Sequence, residues 1–399
     1  MTHDLPMLDE CPKRMVIGPC GGVGDDNACE IDLGHACVFL DPARREAQRA
    51  DEDAFLEALP RRTPRRWGSA FQDRLDSGEF TFVAEVNGAD SSDAAGFVAA
   101  AAQIAEVADI VSITDHSGAN VHMGNVSAVA HLMAAGIPTM PTFACRDRNR
   151  LALQGDLLGV TSLGVRNALL VTGNHVQVGD SKDARPVFDL DSPRLLAVAD
   201  RLRTTGVLAN GRSVDAAPPL FLGAAAHPFA PPYLDRPRQV MRKVAAGADF
   251  IITQHIFDLP RWRSFLDGVN ALRGAHTPFH LLGGVAVLPD ENRARIVNAG
   301  LRGFTIPEEV LLRLRQATDP QQEGILIAAE TVRELFESEG VSGCLLAPVT
   351  QRTNALSASV EQKELIAAVR REAGLPATIP DAAAAVPGAV AAAGDRVAS

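Results

Sequence analysis

Eight short stretches of apolar residues, many of them β-branched, recur between residues 80 and 348, separated by Ala/Leu-rich stretches whose apolar positions fall at helical spacing. They are FTFVAEV (80–86), DIVSITD (109–115), TMPTFAC (139–145), NALLVTG (167–173), FLGAAAH (221–227), FIITQHI (250–256), HLLGGVAV (280–287) and VSGCLLAP (341–348). Runs that stay apolar on successive positions suit a parallel sheet covered on its outer face. Eight of them alternating with helices predict an α/β fold, a (β/α)8 barrel. An open doubly wound sheet is the structural rival, and it loses ground because no run is followed by a clean GxGxxG turn.

The pattern changes on either side of these runs. Residues 42–78 are charged, with scattered apolar positions at helical spacing, and predict one or two linker helices broken near Pro60 and Pro64. From Gly374 the chain turns to Ala, Pro and Gly and buries too little apolar surface to offset its ordering entropy, so 374–399 is expected to be disordered. At the other end, residues 1–41 carry four of the six cysteines, Cys11, Cys20, Cys29 and Cys37. The expected organisation is a small Cys-rich cap (1–41), a helical linker (42–78), a barrel domain (79–373) and a tail.

Charge narrows the partners. A formal charge of −11 and a pI near 5.4 argue against a nucleic-acid or anionic-membrane surface, both of which need a positive field. No apolar run approaches a membrane span, and MTHDLPMLDE lacks the layout of a signal peptide. The expectation is a soluble cytoplasmic protein that binds a small molecule. In a reducing compartment four thiols point to metal binding, catalysis or burial before disulfides. The spacing C-x8-C-x8-C-x7-C is looser than the CxxC knuckles of common zinc fingers. Thiolates select Zn2+ or an iron–sulfur cluster, the glycine pair after Cys20 lets the backbone fold tightly, and so short a polar stretch needs a staple. Zinc, a cluster and free thiols stay open on spacing, with a zinc-knotted cap as the expectation. Cys145 and Cys344 lie in apolar runs and read as small buried hydrophobes.

In such a barrel the chemistry collects at the C-terminal ends of the strands. Those ends carry Glu85; Thr114, Asp115 and His116; Cys145, Arg146 and Asp147; Thr172, Asn174 and His175; His227; Gln254 and His255. No Gly-x-Ser-x-Gly elbow or HExxH helix occurs. Glu85 interrupts an apolar strand, which is costly unless the carboxyl is paired with an arginine or used as a desolvated general acid. Gln254 either binds the edge of a heterocycle or caps a loop. His175, His227 and His255 are too irregularly spaced for a ligand set and read as structural groups.

The blocks TFACRDRNRLALQGDLLGVTSLGVRNALLVTGN, GDSKDARPVFDLDS and KVAAGADFIITQHIFD, in that order and followed by IPEE (306–309) and GVSG (340–343), resemble the methylenetetrahydrofolate reductase family, flavin-dependent TIM barrels. The stretch CPK…GPCGG…CEI…CVF resembles a cysteine-rich zinc module that is a partner of that reductase or fused to it. The resemblance implies a non-covalent FAD, NADH or NADPH as electron donor, and interconversion of 5,10-methylenetetrahydrofolate and 5-methyltetrahydrofolate in one-carbon metabolism and methionine biosynthesis. Carried over by motif, Glu85 matches the acid that protonates the folate, Gln254 the amide on the pterin, and Arg352 a substrate-side arginine. Thr114 matches a flavin contact, and Lys243, with His227 at the end of the fifth strand, matches the cofactor-binding side.

Three positions depart from the family. Asn174 stands where the fourth strand normally ends in Gly-Asp, which removes a negative charge beside the flavin and implies a higher flavin potential. Thr142 and Thr172 stand where better-known members use a histidine and an arginine for FAD. Two other functions follow as alternatives: net oxidation of methyltetrahydrofolate in methyl-group catabolism, and a folate-binding or assembly subunit without flavin chemistry. A homo-oligomer or an electron-transfer partner is compatible with either enzyme.

Overall fold

A computed structural model of the chain describes residues 10–57, 63–274, 278–300, 303, 305–347 and 355–378. Each apolar run forms a strand: β1 (Thr81–Val86), β2 (Ile110–Ile113), β3 (Thr139–Ala144), β4 (Asn167–Val171), β5 (Phe221–Ala226), β6 (Phe250–His255), β7 (His280–Val285) and β8 (Gly343–Leu346). Consecutive strands pair in parallel, and β8 returns to β1 through Thr81↔Gly343 and Phe82↔Cys344. The sheet is therefore a closed (β/α)8 barrel rather than an open one.

The helices before the barrel and on its first half are α1 (Pro42–Glu57), α2 (Ala70–Asp76), α3 (Ala94–Ala105), α4 (Asn125–Ala134), α5 (Arg150–Ser162) and α6 (Ser192–Thr205). Then come α7 (Arg236–Ala246), α8 (Leu259–Arg273), α9 (Glu291–Gly300), α10 (Glu308–Gln316), α11 (Pro320–Glu337) and α12 (Ala355–Glu372). Several begin at a side-chain cap that satisfies otherwise orphaned N–H groups: Asp93 before α3, Asn149 before α5, Asp191 before α6, Asp258 before α8 and Asp319 before α11.

Two apolar cores result. One lies between sheet and helices and includes Leu132, Leu196, Val240, Trp262 and Ile366. The other fills the lumen with Val83, Ile110, Met140, Leu169, Phe250 and Leu282. Each such buried side chain contributes roughly 1.5–3 kcal/mol of transfer free energy.

The segment expected to be a linker performs two separate structural tasks. Its α2 is the floor of the barrel. Phe71 stands edge-on to Phe221 and Phe250, with centroids 6.0 and 5.4 Å away. Around it Ser69 donates to Asn167 at the start of β4, Asp76 pairs with His280 at the start of β7 (2.9 Å), and Arg74 meets Asp109 ahead of β2 (3.3 Å). Meanwhile α1 runs beside α7 in the same direction. Arg45 and Arg49 reach Asp235 at the head of α7 (3.3 and 3.0 Å), Asp53 pairs with Arg238, and Phe55 lies 4.0 Å under the Arg242 guanidinium. Because α7 leaves the C-terminal end of β5, α1 carries the chain from the barrel's mouth down to its floor.

Residues 10–41 sit over that mouth as irregular chain with the bridges Val23↔Cys29 and Ala28↔Ala36 and a small core of Cys11, Met15, Val23, Cys37 and Phe39. Barrel side chains hold this cap by its backbone. Arg236 donates to the carbonyls of Pro19 (3.0 Å) and Cys20 (3.1 Å), Arg194 donates to that of Arg14 (3.2 Å), and Asp191 accepts from the Val16 N–H (3.2 Å). Residues 379–399, most of the expected disordered tail, lie outside the described residues. Among the described residues no helix is long and apolar enough to cross a membrane.

Candidate functional site

Alternation along the strands decides what faces the lumen. Val83, Met140, Leu169 and Ile252 fill it, so Glu85, Thr142, Val171 and Gln254, two residues further along, form the next layer up, at the mouth. There they line a cavity of about 410 Å³ between the barrel and the cap, together with Thr114, Thr172, Asn174, His227, Lys243 and His255.

Glu85 is held through its backbone, whose carbonyl accepts from Gln362 of α12 (2.8 Å). Its carboxyl makes no hydrogen bond or ion pair among the described residues, so the arginine-pairing alternative does not apply there. Burial alone raises its pKa from 4.5 to about 7, which leaves a proton on the group near neutrality.

Of the two roles weighed for Gln254, the structure shows the capping one. Its Oε1 accepts from the His255 N–H (2.9 Å), which caps the strand end and leaves the amide nitrogen toward the cavity. A bulge between Ile252 and His255 aims this segment. Thr253 Oγ1 donates to the Gln254 carbonyl and accepts from the Gly284 N–H, both at 3.0 Å. A Cβ at Gly284 would lie 2.5 Å from the Thr253 carbonyl oxygen, so only glycine fits there. His255 is pushed down to about 4 by burial and stays neutral.

The other expected residues divide by how they are engaged. Thr114 donates to Asn87 (3.0 Å), and Thr172 Oγ1 accepts from the Ser192 N–H (3.0 Å) at the start of α6. The Thr142 carbonyl accepts from Asn125, and its hydroxyl side lines the cavity. Asn174 follows Gly173, whose φ of 87° makes the turn out of β4. Lys243 donates to the Ala225 carbonyl and pairs with no carboxylate among the described residues; burial, then Arg236, lowers it to about 8. His227 is held far below its usual value by burial and by Lys243, Arg236 and Lys13, and its buried Nδ1 has no hydrogen-bond partner among the described residues. Arg352 lies outside the described residues.

Asp115 is structural: it takes the Arg148 fork (2.8 and 2.9 Å) and the Ala144 N–H (2.7 Å). His175 stacks on Phe188 at 5.8 Å, away from the cavity lining. Cys145 and Cys344 are buried in the barrel wall.

The four cap cysteines form no disulfide, and Cys11, Cys20 and Cys37 share one small core with Cys29 close by. Burial pushes Cys37 up to about 12, and Cys20, Cys11 and Cys29 add to the effect. The donor set is soft and suits zinc, but among the described residues no three His, Cys, Asp or Glu side chains are placed to hold a metal ion.

Lys13, Glu30 and Arg236 also line the cavity, and the sequence did not single them out. Lys13 and Glu30 belong to the cap and Arg236 to the head of α7, so nothing in their spacing brings them to the strand ends. A lysine between the first two cysteines, in a chain otherwise rich in arginine, was the available signal.

On the cavity lining a proton-bearing carboxyl and an amide, Glu85 and Gln254, are able to address a polar heterocycle, and Lys243, which pairs with no carboxylate among the described residues, could meet the phosphate-rich half of a nucleotide cofactor such as FAD.

A family model described as "Methylenetetrahydrofolate reductase" matches residues 70–356. A second, described as "Methylene-tetrahydrofolate reductase C terminal", matches residues 2–64. No curated protein matches the chain. Among solved structures, an uncharacterized protein from Clostridium thermocellum, described as binding two copies of 5-methyl-5,6,7,8-tetrahydrofolic acid, is similar at 14% identity with a TM-score of 0.53. The match covers 73% of this chain and 96% of that one and is a likeness of fold.

Proposed function

The chain belongs to the methylenetetrahydrofolate reductase family, and on that premise we propose that it interconverts 5,10-methylenetetrahydrofolate and 5-methyltetrahydrofolate with bound FAD and with NADH or NADPH as donor. The observation that carries this reading is Glu85, a carboxyl without a partner among the described residues, at the inner end of the cavity, protonated near neutrality. Glu85 gives its proton to the folate as the five-membered ring opens, and Gln254 fixes the pterin edge by its free amide. Thr114, Thr142, Thr172, His227 and Lys243 would hold the cofactor, which when bound supplies the hydride. The cap over the mouth excludes water from the reacting end.

Glu85→Gln should leave reduction of the flavin by nicotinamide intact while slowing folate turnover by about a hundredfold or more. Equal loss in both half-reactions would remove the assignment. An absorbance spectrum of the purified protein tests the cofactor directly, and a colourless protein that still binds folate would favour the binding subunit. That second reading has one observation on its side: the Thr172 hydroxyl and the Lys243 ammonium already have protein partners. Metal analysis of the same sample tests the zinc expected of the cap cysteines: close to one zinc per chain, lost on Cys20→Ser, would mean that the four thiols close around the ion from the placement described above, and its absence would leave them as parts of a small core.

Asn174 bears on which half-reaction limits the rate. A neutral amide in place of a carboxylate raises the flavin potential, so methyltetrahydrofolate reduces the bound flavin more readily while the equilibrium between free substrates stays where it is. Asn174→Asp should lower the midpoint potential and slow flavin reduction by methyltetrahydrofolate. Potentiometry that finds it unchanged or higher would defeat the charge argument.

A further inference from the structure

The cap is anchored as a wall of the cavity. Met15, Pro19, Cys20 and Gly21 line it beside the strand ends, and Gly21 lies so close that a Cβ there would be 2.2 Å from the His227 ring. Where cap and barrel meet, positive charge collects. Arg236 is buried, and every acceptor it uses is neutral: the carbonyls of Ala230, Pro231, Pro19 and Cys20 and the amide oxygen of Gln239. Among the described residues Lys243 has only the Ala225 carbonyl as acceptor. Neither pairs with a carboxylate among the described residues. Lys13, 5% exposed, enters from the cap side and pairs with Glu30. At this corner of the lining three buried cations, Lys13, Arg236 and Lys243, have one carboxylate in direct contact among the described residues, Glu30, with Asp191 and Asp235 acting on Lys243 and Arg236 from further away. Uncompensated buried charge is costly unless a partner of opposite sign arrives.

We propose that Lys13 is a ligand-binding residue supplied by the cap, which with Arg236 and Lys243 forms a corner for the anionic oxygens of the bound molecule. This rests on the ligand assignment given above. Two sources of such oxygens fit: the diphosphate of a dinucleotide cofactor and the glutamyl carboxylates of a folate. Glu30 holds the Lys13 ammonium, and an arriving anion competes for it.

Binding to the full-length chain should be measured for FAD, riboflavin, 5-methyltetrahydrofolate and a tetrahydropterin lacking the glutamyl tail. Lys13→Gln should weaken the anionic ligand by about tenfold or more and leave its uncharged counterpart unchanged, while Lys13→Arg retains most of the affinity. Loss for FAD with riboflavin unaffected assigns the corner to the diphosphate. Loss for the folate with the tail-less pterin unaffected assigns it to the glutamyl group. Glu30→Gln, which removes the competing carboxylate, should tighten the same ligand. Wild-type affinity of Lys13→Gln for both anionic ligands overturns the proposal. So does a Glu30→Gln variant that binds as weakly as Lys13→Gln, because the pair would then be structural. A wild-type chain that binds none of the four overturns the functional reading along with it.

Discussion

At the residue scale, Glu85 links stability and the proposed activity to pH in the same direction, while its substitution should move them in opposite ones. Its carboxyl titrates near 4.5 when exposed and near 7 in the folded chain. Between these values the unfolded chain holds fewer protons than the native one, so native stability falls as pH rises through the window and the loss is complete above about 7. Glu85→Gln should therefore be more stable than the native sequence at pH 8, by an amount on the order of 2 kcal/mol, with the two converging as pH drops to about 4. Denaturant melts at both pH values check this, and a variant destabilised at pH 8 would contradict it. In the proposed role of Glu85 as the acid, turnover should likewise decline as pH rises past about 7, where its proton is lost. Glu85 and Gln254 were legible in the sequence because each is a polar interruption at lumen-facing parity in an apolar strand. Lys13 and Arg236 were not. Their places depend on contacts between residues more than 200 positions apart, and spacing carries no trace of that.

At the scale of elements, all eight strands were legible because a buried parallel strand is apolar on successive positions, and few other elements have that pattern at such short length. The role of α2 was hidden for a complementary reason. A seven-residue helix with Phe71 and Leu75 four apart has the same pattern whether it links two domains or plugs a barrel; only the aromatic rings of Phe221 and Phe250, from β5 and β6, decide. Phe71 is 4% exposed, and its loss opens a void against both rings. Phe71→Ala should cost about 3–5 kcal/mol. Because the floor lies at the opposite end of the strands from Glu85, ligand affinity at temperatures well below the melt should be retained. An exposed linker helix would lose less than about 0.5 kcal/mol, which gives thermal unfolding two clearly separated outcomes.

For the whole molecule, the cysteine count announced a cap, but not that the cap would share a cavity with the strand ends. Its docking uses the Pro19, Cys20 and Arg14 carbonyls and the Val16 N–H, met by Arg236, Arg194 and Asp191. Along α1 it continues through Asp235 and Arg238. None of these contacts requires a peptide bond between the two parts. The family model matched by residues 2–64 is described as a C-terminal one, whereas here the matching segment comes first. What places the segment at the mouth of this barrel is therefore the set of docking contacts, which would act equally on a segment delivered as a separate chain. A chain severed within residues 58–62 and co-expressed as two polypeptides should copurify as one complex. The main cost is the effective concentration that the natural tether supplies. Fragments that elute apart at micromolar concentration would mean that the tether, more than the docking surface, holds the cap over the site.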